Sequence, residues 1–220
     1  MPCSIPQITP VPGLFVVVEG IDGSGKSTLV TGLGKALVDH PVLSLCEPTK
    51  LASGLLIRRH LTDHSPLPQE AWLEMFGADR RIDLETNINP ALARGEIVLL
   101  DRYLYSTAAY QGSAGKLNAK EILHSQTNQF RQPDVLIYLD ISPEDALARV
   151  SATREKLEIF ETSHELHRIH SNYEEILQEV EQEQAGPTLI RIAATDSLDM
   201  NIAKAEKAIR QALSNSTKRA

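Results

Sequence analysis

The stretch Leu14-Phe15-Val16-Val17-Val18-Glu19-Gly20-Ile21-Asp22-Gly23-Ser24-Gly25-Lys26-Ser27-Thr28 constrains this chain more than any other. A β-branched and aromatic run leads straight into G-x-x-x-x-G-K-[ST], and a helix-compatible segment follows. That pattern works only at a strand-to-helix turn, where successive backbone N–H groups and the helix N-terminus line one concave anion site. Gly20, Ile21, Asp22, Gly23, Ser24 and Gly25 form the loop, and Thr28 stands at the helix start. Lys26 is placed to reach the β/γ-phosphates of a nucleoside triphosphate, and the Ser27 hydroxyl to ligate Mg2+.

The rest of the chain alternates strands and helices. Leu29, Val30, Leu33 and Leu37 predict a helix from Ser27 to about His40, stopped by Pro41. A strand follows at 42–46, then a short helix from Gly54 to Leu61. Residues 69–94 read as one long helix with Gly77 and Pro90 as weak points. Further strands fall at 96–100, 134–140 and 188–192. Between them lie a loop or short helix at 103–115 and helices at 118–130, 142–153, 161–184 and 198–213. Each strand is a continuous apolar run, the sign of a parallel sheet covered on both faces. The expected architecture is a P-loop NTPase: a three-layer α/β/α fold with a five-stranded parallel sheet. Ligands then sit at the carboxyl ends of the strands.

Composition narrows the function classes. With 220 residues, 22 basic and 29 acidic side chains, the chain fits one α/β domain of formal net charge −7. That charge argues against a broad nucleic-acid face, so anionic ligands must be met by local cations and backbone amides. Two cysteines, Cys3 and Cys46, make no disulfide framework and imply a reducing compartment. Residues 1–13 carry Pro2, Pro6, Pro10 and Pro12 but no basic and apolar signal pattern, and read as an N-terminal extension. No apolar run reaches membrane-spanning length. The expectation is a cytoplasmic protein without a membrane or nucleic-acid partner.

The strand ends supply the chemistry. Asp101 closes an apolar strand, where a P-loop protein places the acid that holds Mg2+. Arg102 beside it puts a positive charge between two phosphate sites. Arg80 follows Phe76 by four residues and shares its helix face, a pairing that suits a flat base carrying a phosphate. Two unit negative charges about 4 Å apart repel by about 4 kcal/mol at an effective dielectric near 20, so such a site needs Mg2+, Lys26 and arginines from Arg80, Arg102, Arg149 and Arg154. A phosphate acceptor, with a second pKa of about 6, needs no general base.

These residues, taken in order, resemble the thymidylate kinase family almost end to end. The matching pieces are 15–28, Glu47-Pro48, Phe76-Gly77-Ala78-Asp79-Arg80, 101–112, 133–140, Pro143-Glu144 and 157–161. The resemblance implies transfer of the ATP γ-phosphoryl group to dTMP, with Mg2+, in a homodimer. It implies that Phe76 stacks on thymine and that Arg80 and Arg102 hold the acceptor phosphate. Asp22 is placed to meet the sugar 3′-OH, Thr107 and Gln111 to read the base, and Tyr110 to crowd the 2′ carbon; Glu47 joins the acceptor pocket. Residues 149–160 correspond to a lid. Gly23 inside the P-loop implies the type whose catalytic arginine comes from that lid, with Arg154 as the candidate and Arg149 against adenine.

Cys46 stands where many bacterial members carry arginine, Thr49-Lys50 replace a Gly-Gly-Thr run, and His170 falls where an arginine is usual. Other readings stay open: a kinase for another nucleoside monophosphate or a deoxynucleoside, or a nucleotide-dependent switch. The switch would want Asp-x-x-Gly where Asp101-Arg102-Tyr103-Leu104 stands, and an Asn-Lys-x-Asp that is absent from the sequence. His164, His167 and His170 step around their helix by about 60° each and do not converge on one ion.

Overall fold

The structure is a computed structural model that describes residues 13–65, 67–112, 115–153 and 160–217. Five strands, β1 (Leu14–Glu19), β2 (Val42–Cys46), β3 (Ile97–Asp101), β4 (Val135–Asp140) and β5 (Thr188–Ala193), form one sheet in the order β2-β3-β1-β4-β5, with every pairing parallel. All residues of β1 and β3 are buried. Successive strand residues point to opposite faces, so a strand buried at every position is covered on both, which makes three layers.

The register decides where the chemistry lies. Val18 and Cys46 both pair with Asp101, and Glu19 pairs with Tyr138. Glu19, Cys46 and Asp101 therefore meet at one carboxyl edge, over the central strand β1.

Helix α1 (Lys26–Ala36) and helix α9 (Leu198–Thr217) pack on each other and on the sheet. A second group packs among itself: α3 (Gln69–Asp83), α5 (Leu104–Gln111), α6 (Ala119–Gln129), α7 (Pro143–Thr153) and α8 (Ser163–Gln182). The core-facing stripe of α8 is Leu166, Ile169, Tyr173, Ile176, Leu177 and Val180, three to four residues apart as an amphipathic helix requires.

The helix expected over 69–94 is not uniform. It runs as α3, then a π-helical turn at Leu84–Ile88, then α4 (Asn89–Ala93) with Pro90 in its first turn. Pro90 has no N–H to donate backwards, and the wider turn before it lets the chain continue without a break. Elsewhere the differences are at the ends: α1 stops at Ala36, α2 (Ala52–Thr62) starts two residues before Gly54, and α9 reaches Thr217. Trp72 is buried in the core, with its ring stacked on Phe76 at a centroid distance of 6.0 Å. The three histidines go to different acids: His164 to Glu165, His167 to Glu144 and His170 to Asp140.

Candidate active site

Between β1 and α1 the backbone turns through Gly23 at φ +82° and Gly25 at φ +94°, a region that L side chains rarely adopt. Gly25 is the N-cap of α1 and contributes no side-chain cap, so the first N–H groups of the helix are left for an anion. A Cβ at Gly23 would fall 2.4 Å from the Ala146 carbonyl oxygen, so α7 presses directly on the loop.

Lys26 is buried. Its Nζ donates to the Ile21 carbonyl at 2.9 Å and to Ser24 Oγ at 3.4 Å. Burial pulls its pKa down to about 8, Arg102 adds repulsion, and Asp22, Asp101 and Glu19 pull the other way. The Ser27 hydroxyl donates to Asp101 Oδ2, while Asp101 Oδ1 is buried without a hydrogen-bond partner among the described residues. A hydroxyl and a carboxylate with a spare oxygen are the hard donors Mg2+ takes, so the residues fit that ion.

A cavity of about 250 Å³ opens beside this loop. Its lining includes Asp22, Lys26, Ser27, Asp101 and Arg102 from the P-loop and the β3 end, and Glu47, Phe76, Thr107, Tyr110 and Gln111 from the β2 end, α3 and α5. Arg102 joins Asp22 and Tyr110 in one cluster of that lining. Its Nη2 donates to Asp22 Oδ1, its guanidinium carbon lies 4.9 Å from the centre of the Tyr110 ring, and its backbone sits at φ +69°. Tyr110 donates its hydroxyl to Asp22 Oδ2 at 2.7 Å, and burial holds that phenol far above its usual pKa. The Gln111 side chain is 1% exposed, and both Oε1 and Nε2 are without partners among the described residues.

Arg80 departs from the expectation of a shared phosphate grip. It has no exposure and lies outside the cavity wall. Its Nη2 donates to Glu47 Oε2 at 2.6 Å and to Thr107 Oγ1 at 3.0 Å, and its Nη1 to Gln126 Oε1. A buried cation requires a buried counter-charge, and Glu47 provides it. Asp79, the preceding residue, accepts from Thr49 N at 2.8 Å, Thr49 Oγ1 at 2.6 Å and Ser53 Oγ at 2.6 Å. Adjacent residues of α3 thus clamp both ends of the segment that follows β2.

Arg149 does not reach this cavity. Its Nη2 donates to Ala194 O at 3.0 Å and its Nη1 to Gly23 O at 3.4 Å, which ties the outer side of the P-loop to the turn after β5. Arg154 and most of the expected lid lie outside the described residues.

Among the lining residues to which the sequence reading gave no site role, Arg58 and Phe160 stand out. Arg58 of α2 donates to the Pro48 carbonyl and lies 3.6 Å from Cys46 Sγ, so the strand end that lacks an arginine receives one from a helix. Phe160, which the sequence reading placed in the 157–161 piece and at the end of the expected lid without a role of its own, packs edge-on against Tyr110 at 5.5 Å.

A central parallel strand, a P-loop with a Ser–Asp pair that fits Mg2+, and one cavity that runs from the loop past Arg102 to Phe76 and Gln111 define a P-loop phosphotransferase with room for an acceptor. Comparison with known proteins narrows the class. A family model described as thymidylate kinase matches residues 18–201. The thymidylate kinase of Leptospira interrogans is 47% identical over 167 residues, covering 74% of this chain and 81% of the relative. That of Desulfotalea psychrophila is 40% identical over 162 residues, 72% and 79% of the two chains. That of Xanthomonas euvesicatoria is 42% identical over 159 residues, 71% and 69%. The chain belongs to the thymidylate kinase family. It is a nucleoside monophosphate kinase, and the switch reading gives way.

Proposed function

We propose that the chain transfers the γ-phosphoryl group of ATP to dTMP, giving dTDP and ADP. The observation that carries this reading is the buried Gln111 carboxamide, one donor and one acceptor without partners, in the same cavity as Phe76. A pyrimidine edge offers the complementary acceptor and N–H, and its flat face suits the Phe76 ring, itself backed by Trp72.

The acceptor phosphate lies toward Arg102 and Arg58, and the ATP phosphates on the α1 N-terminus with Lys26. Ser27 and Asp101 would hold Mg2+, which would supply charge neutralisation for the phosphates. Asp22 takes the sugar hydroxyl, and the Tyr110 ring crowds the 2′ position. Arg80 braces Glu47 and Thr107 from behind the wall and does not grip the phosphate. Arg149 stands at the adenine side, and Arg154 is the lid arginine. The acceptor arrives ionised, so catalysis consists of in-line positioning and charge neutralisation.

The cytoplasm and a homodimer are part of the same proposal. No helix among the described residues is long and apolar enough to cross a membrane. The dimer is tested by light scattering of the purified chain, where twice the monomer mass is expected and a monomer would overturn it.

The activity is tested by ADP release with ATP, Mg2+ and a panel of dTMP, dUMP, CMP and thymidine. Preference for dTMP is expected. Equal turnover of CMP or thymidine would overturn the assignment.

A further inference from the structure

Glu19 is a charged residue with zero exposure at the carboxyl end of β1, and it does not line the cavity. Its Oε1 accepts the backbone N–H of Tyr103 at 2.8 Å and of Ser106 at 3.1 Å. Tyr103 is the N-cap of α5 and gives it no side-chain cap, so a carboxylate from another strand takes that place. Its Oε2 accepts the hydroxyls of Ser106 at 2.6 Å and Tyr173 at 2.8 Å.

The Ser106 hydroxyl has two further contacts, one of them the Tyr173 hydroxyl at 2.9 Å. In the other it accepts from Arg102 Nη1 at 3.2 Å while it donates to Glu19. The Nη2 side of the same guanidinium is held by Asp22. Arg102 is thus gripped from both sides, and one grip leads through Ser106 to a carboxylate in the core. Its backbone at φ +69° is itself costly for a side-chain-bearing residue and persists only when its surroundings over-determine it.

We propose that Glu19 is a positioning residue for phosphoryl transfer, acting through the Ser106 hydroxyl to fix the guanidinium of Arg102 at the junction of the two phosphate sites. Burial pushes the Glu19 carboxyl above its usual pKa, while the Ser106 and Tyr173 hydroxyls, the Arg102 charge and the Tyr103 N–H draw it back. The inference rests on the reading that Arg102 meets the acceptor phosphate.

The test is titration calorimetry of dTMP and of a non-hydrolysable ATP analogue on the full chain, for Glu19→Gln, Ser106→Ala and Arg102→Ala and their combinations. Ser106→Ala leaves Glu19 and the backbone caps of α5 in place, so it decides alone if Glu19→Gln does not fold. Each of the two is expected to weaken dTMP about tenfold, the effect of losing a hydrogen bond to a charged group, and to leave the ATP analogue unchanged. In the Arg102→Ala background neither should weaken dTMP further. Equal losses with and without Arg102, or parallel losses for both nucleotides, would show a purely structural cap and overturn the inference while leaving the role of Arg102 intact. If Arg102→Ala alone leaves dTMP binding unchanged, that role fails and the inference fails with it.

Discussion

Arg80 Nη2 lies 2.6 Å from Glu47 Oε2, and neither side chain is more than 4% exposed. Glu47 lines the cavity and Arg80 does not, so the pair braces its wall from behind. Removing Arg80 leaves the buried Glu47 carboxyl without its hydrogen-bond partners, a loss of about 1–3 kcal/mol. Arg80→Met is expected to lower the urea midpoint accordingly. A loss no larger than that of an exposed ion pair would show that the pair carries no such burden.

The same pair sets a pH dependence. Burial lifts the Glu47 carboxyl to about 7 in the folded chain, with Arg80 opposing it, against about 4.3 when unfolded. Between those values the folded chain keeps a proton that the unfolded chain has released. The contribution of this residue to stability therefore falls as pH rises through that window. Denaturant titrations from about pH 5 to about pH 8 should show wild type losing stability relative to Glu47→Gln. Parallel curves would contradict it.

Lys26 gives the complementary signature in activity. With its folded pKa near about 8, the free enzyme loses the ammonium charge as pH rises past that point. A bound triphosphate favours the charged form and raises the pKa. The alkaline limb of kcat/KM for ATP should thus lie near pH 8 and the limb of kcat higher. Coincident limbs would mean that Lys26 does not contact the phosphates.

The two P-loop glycines should respond differently to a methyl group. Both Gly23 and Gly25 have positive φ, so alanine costs about 1–2 kcal/mol of left-handed strain at either. At Gly25 nothing lies within 4 Å of the new Cβ, whereas at Gly23 it meets Ala146 O at 2.4 Å and must push α7 away. Gly23→Ala is expected to lower the melting temperature more than Gly25→Ala. The same crowding leaves no room for an arginine at position 23, which favours a catalytic arginine from elsewhere. Equal shifts would remove that argument.

Local pattern made part of this site legible. A strand buried on both faces must be apolar throughout, and the P-loop spacing is fixed by the turn it makes, so β1 to β5, Lys26, Ser27, Asp101 and Arg102 follow from sequence. What sequence does not carry is where a long side chain goes. Helix spacing puts Arg80 on one face with Phe76, but whether its guanidinium turns to a ligand or to Glu47 depends on a loop from the other end of β2. Glu19 looks like a strand terminus, because its four partners arrive from α5 and α8. The helix over 69–94 was readable as helix; its π-helical turn was not, since apolar spacing is insensitive to one wider turn.

Arg58 is the sharpest case of a residue that only the fold reveals. It stands beside Arg59 on an exposed helix, and sequence gives no reason to separate them. Arg59 pairs with Asp63, whereas Arg58 reaches the Pro48 carbonyl and the Cys46 sulfur at the cavity rim. An exposed arginine contributes little to folding, so Arg58→Ala should leave stability within about 0.5 kcal/mol of wild type. Its charge, near an incoming dianion, is another matter. KM for dTMP should rise about tenfold or more, as expected for the loss of a charge-assisted hydrogen bond, with KM for ATP unchanged. Arg59→Ala serves as the control and should alter neither. If both variants behave alike, the cation missing at Cys46 is not replaced from α2, and the acceptor phosphate relies on Arg102 alone.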